Sequence, residues 1–311
     1  MIIGIDTSCY TTSIAITRDH KLIYERRLLL KVKPGTCGLR QSEAVFQHVR
    51  NLPLLLNEFR GELTVSAVAV SDRPRPVAGS YLPVFQVGSS YGEFYARMMG
   101  VPFIKTSHQE GHLRAVLLDQ PEWLTTGQAF LAWHISGGTT ELLKVLPLPS
   151  GFAIEKIGGS SDLQVGQFID RIGVLLGTSF PAGPELETLA LRAPRHKKLA
   201  AVTKGLTVSF SGPLSAAERL AAKGEEPSEL AWQVFSCVAQ SFLKVTIQAV
   251  SDLGIRRVLL VGGVASNKII RDDLLNNGIA AEVEFRFGPP ELSSDNAVGV
   301  SLIGDDFLKR G

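Results

Sequence analysis

Ile2-Ile3-Gly4-Ile5, then Asp6-Thr7-Ser8-Cys9-Tyr10-Thr11-Thr12, then Ser13-Ile14-Ala15-Ile16-Thr17 open the chain. Two apolar, β-branched runs joined by a polar turn read as a hairpin, and Leu22 to Leu30 supplies a third strand. The same grammar returns at Phe130-Leu131-Ala132-Trp133-His134-Ile135, which meets the turn Ser136-Gly137-Gly138-Thr139-Thr140, with Leu142 to Leu146 leading back. Working outward, Gln41 to Arg60 reads as helical, with Pro53 placed to start a second helix. Val65 to Val70 reads as a buried strand, Ser90 to Met99 as a helix and Val101 to Lys105 as a strand. The proline- and glycine-rich stretch from Asp72 to Gly88 reads as a loop longer than the usual connection. Further on, helices are expected around Gln167–Leu176, Pro184–Arg192 and Leu230–Leu253, and Val258 to Val261 is expected as the last buried strand. Strands alternating with helices, and a hairpin opening each half, imply an α/β protein of two related lobes around a cleft. Pro121 to Gly127 marks the expected boundary, giving lobes 1–125 and 126–311.

Composition narrows the class. At 311 residues the length suggests roughly two domains. Hydrophobic residues at 45% against 20% charged are enough for a large core, which excludes a disordered or fibrous chain. Lys plus Arg number 32 against 30 acids, a net charge of +2, so composition gives no electrostatic footprint for nucleic acid. Three cysteines, Cys9, Cys37 and Cys237, are too few and too scattered for a disulfide framework or a zinc ribbon. No apolar run approaches the roughly 18 residues of a membrane span, and no basic region precedes the first apolar run. A cytoplasmic protein with no membrane segment is expected.

The strongest local chemical signal is Ser107-His108-Gln109-Glu110-Gly111-His112. On a helix His108 and His112 share a face, where two imidazoles can hold one metal. Packed or surface histidines would show the same spacing. A zinc-protease motif needs its glutamate directly after the first histidine, and Gln109 stands there. Glu110 projects roughly 200° round the helix from His108, away from a shared metal. Two histidines need another ligand, and Asp295 in Pro289-Pro290-Glu291-Leu292-Ser293-Ser294-Asp295-Asn296 is available. Its plainer role would be the N-cap of a helix over 297–307. Glycines at strand ends form the second signal. Ser136-Gly137-Gly138-Thr139-Thr140, Phe180-Pro181-Ala182-Gly183-Pro184 and Val261-Gly262-Gly263-Val264-Ala265-Ser266-Asn267 can each bring backbone N–H groups to phosphate oxygens. Each alone also fits an ordinary turn, and none is a P-loop, because no Gly-Lys-Ser/Thr follows. Together with Asp6-Thr7-Ser8 they favour a phosphate-binding cleft. Cys9 has no assignable base, and Ser211-Gly212 lacks a nucleophile elbow.

Gly4-Ile5-Asp6-Thr7-Ser8-Cys9, His108 to His112, Ser136-Gly137-Gly138, Gly166-Gln167-Phe168-Ile169-Asp170-Arg171, Phe180 to Pro184, Ser209-Phe210-Ser211-Gly212, Gly262 to Asn267 and Pro289 to Ala297 follow in a consistent order. Together they resemble the TsaD family, the tRNA threonylcarbamoyladenosine synthases formerly called O-sialoglycoprotein endopeptidases. The resemblance implies the two-lobed actin-like ATPase fold of sugar kinases and chaperones, with a nucleotide cleft between lobes and the C-terminal helix returning toward the first lobe. It implies that His108, His112 and Asp295 bind one iron or zinc ion. It also implies that Ile135, Ser136, Gly137, Gly138, Thr139, Asp170, Gly183 and Asn267 hold an adenine nucleotide (ATP, AMP or threonylcarbamoyl-adenylate), with Asp170 at the ribose and Asn267 on the adenosine side. The implied reaction moves threonylcarbamoyl from its adenylate to the exocyclic amine of the adenosine beside the tRNA anticodon. tRNA and the protein partners of a tRNA-modification complex follow from the resemblance only. No catalytic residue beyond the metal site is assigned.

Departures from the family pattern cluster around the phosphates and acyl group. The family's Glu-Thr-Ser-Cys-Asp-Glu-Thr stands here as Asp6-Thr7-Ser8-Cys9-Tyr10-Thr11-Thr12, without the two turn acids. Its Ser-Gly-Gly-His-Thr has Thr139 in place of histidine, and its Ser-Gly-Leu-Lys becomes Ser211-Gly212-Pro213-Leu214. A Val-Pro-Glu segment becomes Gly38-Leu39-Arg40-Gln41-Ser42-Glu43, and a Gly-Pro-Gly turn becomes the basic stretch Arg73 to Ser80. Two alternatives to the tRNA reaction therefore stand: carbamoyl-type transfer to another acceptor, and a non-catalytic nucleotide-binding partner of a related enzyme. Proteolysis comes last.

Overall fold

The structure, a computed structural model, describes residues 1–8, 10–32, 39–125, 127–194 and 197–309. The chain divides into two compact units. Unit 1 is Met1–Gln128, Leu146–Ala153 and Glu291–Gly311, and unit 2 is Ala129–Val145 and Ile154–Pro290.

In unit 1 the elements run β1 (Ile2–Asp6), β2 (Thr11–Arg18), β3 (Lys21–Leu29), α1 (Gln41–Asn51), a 3-10 turn (Leu52–Leu56), β4 (Ala67–Arg73), α2 (Phe85–Met99), β5 (Phe103–Ser107) and α3 (His108–Val116). Unit 2 contains β6 (Phe130–Ile135), β7 (Thr140–Pro147), β8 (Phe152–Ser160), α4 (Val165–Leu175), α5 (Gly183–Ala190), β9 (Val202–Lys204), β10 (Thr207–Ser209), α6 (Ser211–Ala222), α7 (Pro227–Leu253), β11 (Arg257–Val261), α8 (Lys268–Ala280) and β12 (Glu284–Phe287), with the ends of β7 and β8 falling in unit 1. The short α9 (Pro290–Ser293) and α10 (Val298–Leu308) lead back into unit 1.

The sheet of unit 1 has the order β3-β2-β1-β4-β5, with β1 antiparallel to β2 and parallel to β4. That of unit 2 is β12-β11-β6-β7-β8-β10-β9, with β6 antiparallel to β7 and parallel to β11. Read from the hairpin outward, β3-β2-β1-β4-β5 and β8-β7-β6-β11-β12 are the same arrangement. The recurring hairpin in the sequence is thus the visible part of a repeated topology.

Period-2 alternation places the sheet of unit 1 between two helical layers. Ile3, Ile5, Ile14, Val68 and Val70 pack with Leu52, Leu55 and Ala96 on one face. On the other face Ala15 meets Ala115 of α3 and Val298 and Leu302 of α10, while Ile2, Ala67 and Ala69 meet Val300. Each such Ile, Leu or Val removed from water contributes about 1.5–3 kcal/mol before conformational entropy is charged against it. In unit 2 the long α7 lies at the heart of the core, with Phe235, Val238, Phe242 and Val245 buried against β6, β11 and α8 side chains. Its 27 residues start at Pro227 under a Glu226 cap and stop at Gly254 in the left-handed conformation. By length and apolar character α7 could cross a bilayer, contrary to the expectation from uninterrupted runs, but 67% of its most apolar window is buried inside the protein.

Three expectations shift. The loop after β4 is shorter, residues 74–84, because Ser71 and Arg73 still pair with β5 and α2 starts at Phe85 despite Gly88. Val258–Val261 is followed by a further strand, β12, whose exposed Glu284 and Arg286 hid an edge strand from a search for apolar runs. Strand β8 was unread for the same reason, with Glu155 and Lys156 in its middle.

Candidate active site

The sheet of unit 1 delivers β5 directly into α3, so His108 is the first helical residue. Ser107 caps that helix. Its side chain accepts from Glu110 N, while Glu110 Oε2 accepts from Ser107 N at 2.9 Å, Ser107 Oγ at 2.7 Å and Thr106 Oγ1 at 3.1 Å. Glu110 is therefore occupied with the helix start and faces away from the histidines, as its angular position requires. His108 and His112, one turn apart, present Nε2 atoms 3.0 Å from each other. Asp295 Oδ1 lies 3.2 Å from His112 Nε2 and 3.5 Å from His108 Nε2. The N-cap position of the last helix is Ala297, not Asp295, and the residue before it, Asn296, accepts through Oδ1 from Val298 N at 2.9 Å. That leaves the Asp295 carboxylate free to join the histidines, and the N-cap alternative for it is set aside.

The donor set fits a divalent cation. Zinc–ligand bonds near 2.0–2.1 Å place tetrahedral ligand atoms about 3.3 Å apart, close to the three separations here. Three protein ligands also leave a coordination position open. Among the described residues this is the one group of three or more such side chains that converges.

Behind His108 stands Asp6, fully buried at the end of β1. Its Oδ2 takes the His108 Nδ1 proton at 2.9 Å and the Ser8 hydroxyl at 2.9 Å, while Ser71 donates to Oδ1. A carboxylate on Nδ1 fixes the tautomer and turns Nε2 toward the other ligands. Burial disfavours charge on His108, but Asp6 and the hydrogen bonds to Asp295 and Asp6 hold the imidazole well above its ordinary range. Burial also opposes charge on Asp295, yet bonds to His108 and His112 keep its carboxyl well below the usual range. Asp6 stands out in the opening turn, but nothing local ties it to His108, 102 residues away. The Ser107-x-x-Glu110 box was legible as a pattern.

In unit 2 the glycine turns meet at the carboxyl ends of β6 and β11. Ser136 N bonds Thr139 O at 2.8 Å, closing a tight turn with Gly137 and Gly138 at its tip. Gly262, at φ +96°, lets the turn after β11 approach the Ile135 carbonyl; a Cβ there would lie 2.3 Å from that oxygen. Gly166 opens α4 against the same turn, where a Cβ would be 2.5 Å from Gly137 Cα. Four residues on, Asp170 Oδ1 accepts from Ala182 N at 2.8 Å, beside Gly183 at the start of α5. Burial raises the Asp170 pKa, with the Ala182 N–H opposing. Asn267 caps α8 by accepting from Ile270 N at 3.0 Å, and Lys268 N donates to Glu187 of α5 at 2.7 Å. Ile135, Ser136, Gly137, Gly138, Thr139, Asp170, Gly183 and Asn267 thus belong to neighbouring turns of one unit. Asp162 was missed. It accepts from Leu163, Phe210 and Ser211 N–H groups and from Ser209 Oγ, fixing the start of α6.

Of the remaining sequence candidates, Cys9, Cys37 and Gly38 lie outside the described residues. Ser211 begins a helix and is held by Asp162. Arg73, in the basic stretch, pairs with Asp72, and Arg256 pairs with Glu282.

Known proteins resemble this chain in sequence and in fold. A curated relative in Thermotoga neapolitana, named tRNA N6-adenosine threonylcarbamoyltransferase, is 29% identical over 321 residues, covering 100% of this chain and 95% of its own. One of the same name in Thermus thermophilus is 30% identical over 318 residues, with 100% and 94% covered. Among solved structures, T. kodakarensis HypF superposes with a TM-score of 0.63 at 13% identity over 99% of this chain. The chain spans about half of that protein, 48% of its length. A ROK family glucokinase from Streptomyces griseus, solved with glucose and AMPPNP, gives 0.53 at 11% identity, covering 100% of this chain and 99% of its own. These likenesses show the fold, the α/β architecture of actin-like ATPases and sugar kinases. The sequence profile described as TsaD, tRNA N6-adenosine threonylcarbamoyltransferase, matches residues 34–301, and this chain belongs to the TsaD family.

Proposed function

We propose that this chain transfers threonylcarbamoyl from threonylcarbamoyl-adenylate to N6 of the adenosine beside the tRNA anticodon, in the cytoplasm and with partner proteins. The observation that carries the reading is the convergence of His108, His112 and Asp295 in a member of this family. The amine attacks the carbamoyl carbonyl carbon, a C–N bond forms, and the bond from that carbon to the phosphate oxygen breaks. AMP leaves with the electron pair, and the amine proton passes to water. A divalent iron or zinc ion held by the three side chains supplies Lewis-acid charge where negative charge gathers. Asp6 holds His108 Nδ1, so that Nε2 stays directed at the centre. Backbone N–H groups at Gly137 and Gly138 suit phosphate oxygens, with no Cβ in the way. Asp170 supplies a carboxylate acceptor for ribose hydroxyls, and Asn267 lies on the adenosine side.

Expression in a strain lacking its tRNA-modifying enzyme, with partner proteins supplied, should restore threonylcarbamoyladenosine in bulk tRNA, measured by mass spectrometry. Well-expressed protein that yields none refutes the tRNA reaction. It would favour carbamoyl-type transfer to another acceptor, the reading supported by the changes at Tyr10, Thr11, Thr139 and Pro213. Metal content should fall to background in the His108→Ala, His112→Ala double variant, and unchanged content would place the metal elsewhere.

A further inference from the structure

His108 and His112 sit on a regular, capped helix, whereas Asp295 lies in the irregular stretch between α9 and α10. A ligand on such a stretch keeps its place only if something outside it ties the backbone down. Asn296 does part of this from within, its Nδ2 donating to Leu292 O at 3.0 Å and Ser294 O at 2.7 Å. The tie from outside is Arg27, on strand β3. Its Nη2 donates to Glu291 O at 2.9 Å, and its Nη1 to Ser294 Oγ at 2.7 Å and, more weakly, to Asp295 O at 3.5 Å.

We infer that Arg27 is the positioning residue for Asp295, clamping residues 291–295 so that the carboxylate meets His108 and His112. The inference rests on the metal reading proposed above. Arg27 acts through shape more than charge. Glu25 on the same strand takes its Nε at 2.6 Å, so the guanidinium reaches the segment already paired with an acid. What remains is a rigid planar fork whose two ends reach acceptors on either side of the segment. The single ammonium of lysine cannot reproduce that span. Arg27 does not touch the three ligand side-chain atoms, so its substitution leaves the donor set intact and alters only its alignment. The side chain is partly exposed on an edge strand and contributes little to the core.

The test uses full-length protein stripped of metal and titrated with Zn2+ against a chromophoric chelator, and with Co2+ for its visible spectrum. Wild type should bind one ion per chain. Arg27→Ala should bind about 10–100-fold more weakly, the range seen when outer partners of metal ligands are removed. Its Co2+ bands should weaken or shift as the carboxylate withdraws, while the melting temperature of the metal-free protein stays near wild type. Arg27→Lys should resemble Arg27→Ala, and Ser294→Ala should show a smaller loss. Failure of wild type to bind metal would sink the metal reading itself. Metal-binding wild type with an Arg27→Ala variant of equal affinity and spectrum would overturn the clamp alone, as would full rescue by lysine.

Discussion

Helix α10 reaches α3 through a glycine. At Gly299 a Cβ would lie 1.8 Å from Gly111 O and 2.6 Å from Ala115 N, both backbone atoms of α3. Backbone cannot swing aside as a side chain does. A carbon and a carbonyl oxygen need about 3.3 Å, so Gly299→Ala must part the helices locally by about 1.5 Å. Helix α3 carries both histidines, and α10 begins just after Asp295, joined to it through Asn296, whose Oδ1 accepts from Val298 N. Metal–ligand distances tolerate about 0.2 Å, so the third ligand should be lost although no ligand has been changed. Overpacking at a close helix contact costs about 1–3 kcal/mol, and the better helix propensity of alanine returns at most about 1 kcal/mol. The expected outcome is a lower melting temperature together with metal content near background. Gly212→Ala in α6 is the control, since the nearest atom to its Cβ is 4.0 Å away, and it should keep metal and lose no stability. Full metal occupancy at wild-type affinity in Gly299→Ala would refute the coupling between helix approach and ligand alignment.

Asp6→Asn keeps the volume but removes the anionic partner of His108 Nδ1, so metal affinity should fall about 10–100-fold in a chelator competition; unchanged affinity would exclude an orienting role. Asp162 is exposed, but donors from Ser209, Phe210, Leu163 and Ser211 outweigh burial and hold its carboxyl well below the usual range. Its folded pKa is thus below the unfolded one of about 3.9, so its stabilisation is present above that pH and fades as pH falls through the folded value. Asp162→Ala should cost about 1 kcal/mol at neutral pH by urea denaturation. The gap to wild type should close on acidification below pH about 4, and a gap constant with pH would contradict the assignment. Burial pushes the Cys237 thiol up to about 11. Peptide mapping after iodoacetamide treatment should find it unlabelled in the native protein and labelled once unfolded, and rapid native labelling would refute its burial.

Elements with strong periodicity were legible from sequence because their pattern is local: β1, β2, β6, α7 and the cap of α3. The edge strand β12 and the interior strand β8 were not, because their exposed charged residues mask the apolar alternation. The proposed metal ligands were legible for two different reasons. His108 and His112 announce themselves by helical spacing, while Asp295 is 183 residues from His112 and was identified by resemblance, with an N-cap as its plainer explanation. The tie from Asp6 to His108 and the contacts of Arg27 could not be found, because they reach residues 102 and more than 260 positions away. Nothing in a window around Arg27 sets it apart from the adjacent Arg26, which pairs with Glu58 instead.

The site groups follow the carboxyl ends of parallel strands within each sheet: Asp6 ends β1, His108 follows β5, Ser136–Thr139 follow β6 and Gly262–Asn267 follow β11. Parallel strands point their carboxyl ends the same way, which is where open α/β sheets gather ligand groups. This separates two kinds of departure from the family pattern. At the 136–139 turn the groups suited to phosphate are backbone N–H donors, and the turn is closed by a backbone bond, Ser136 N to Thr139 O. Thr139 in place of histidine removes a side chain and leaves that cradle standing. At Tyr10, Thr11 and Leu214 the change removes side-chain charge, for which no backbone group substitutes. Leu214 sits buried in the first turn of α6, where a charged side chain would have to leave the core to act. On the proposed reading, the groups for metal and adenylate are retained, and the charged groups that change would bear on the acceptor instead. For that reason binding assays and the tRNA assay must be run separately on the same protein.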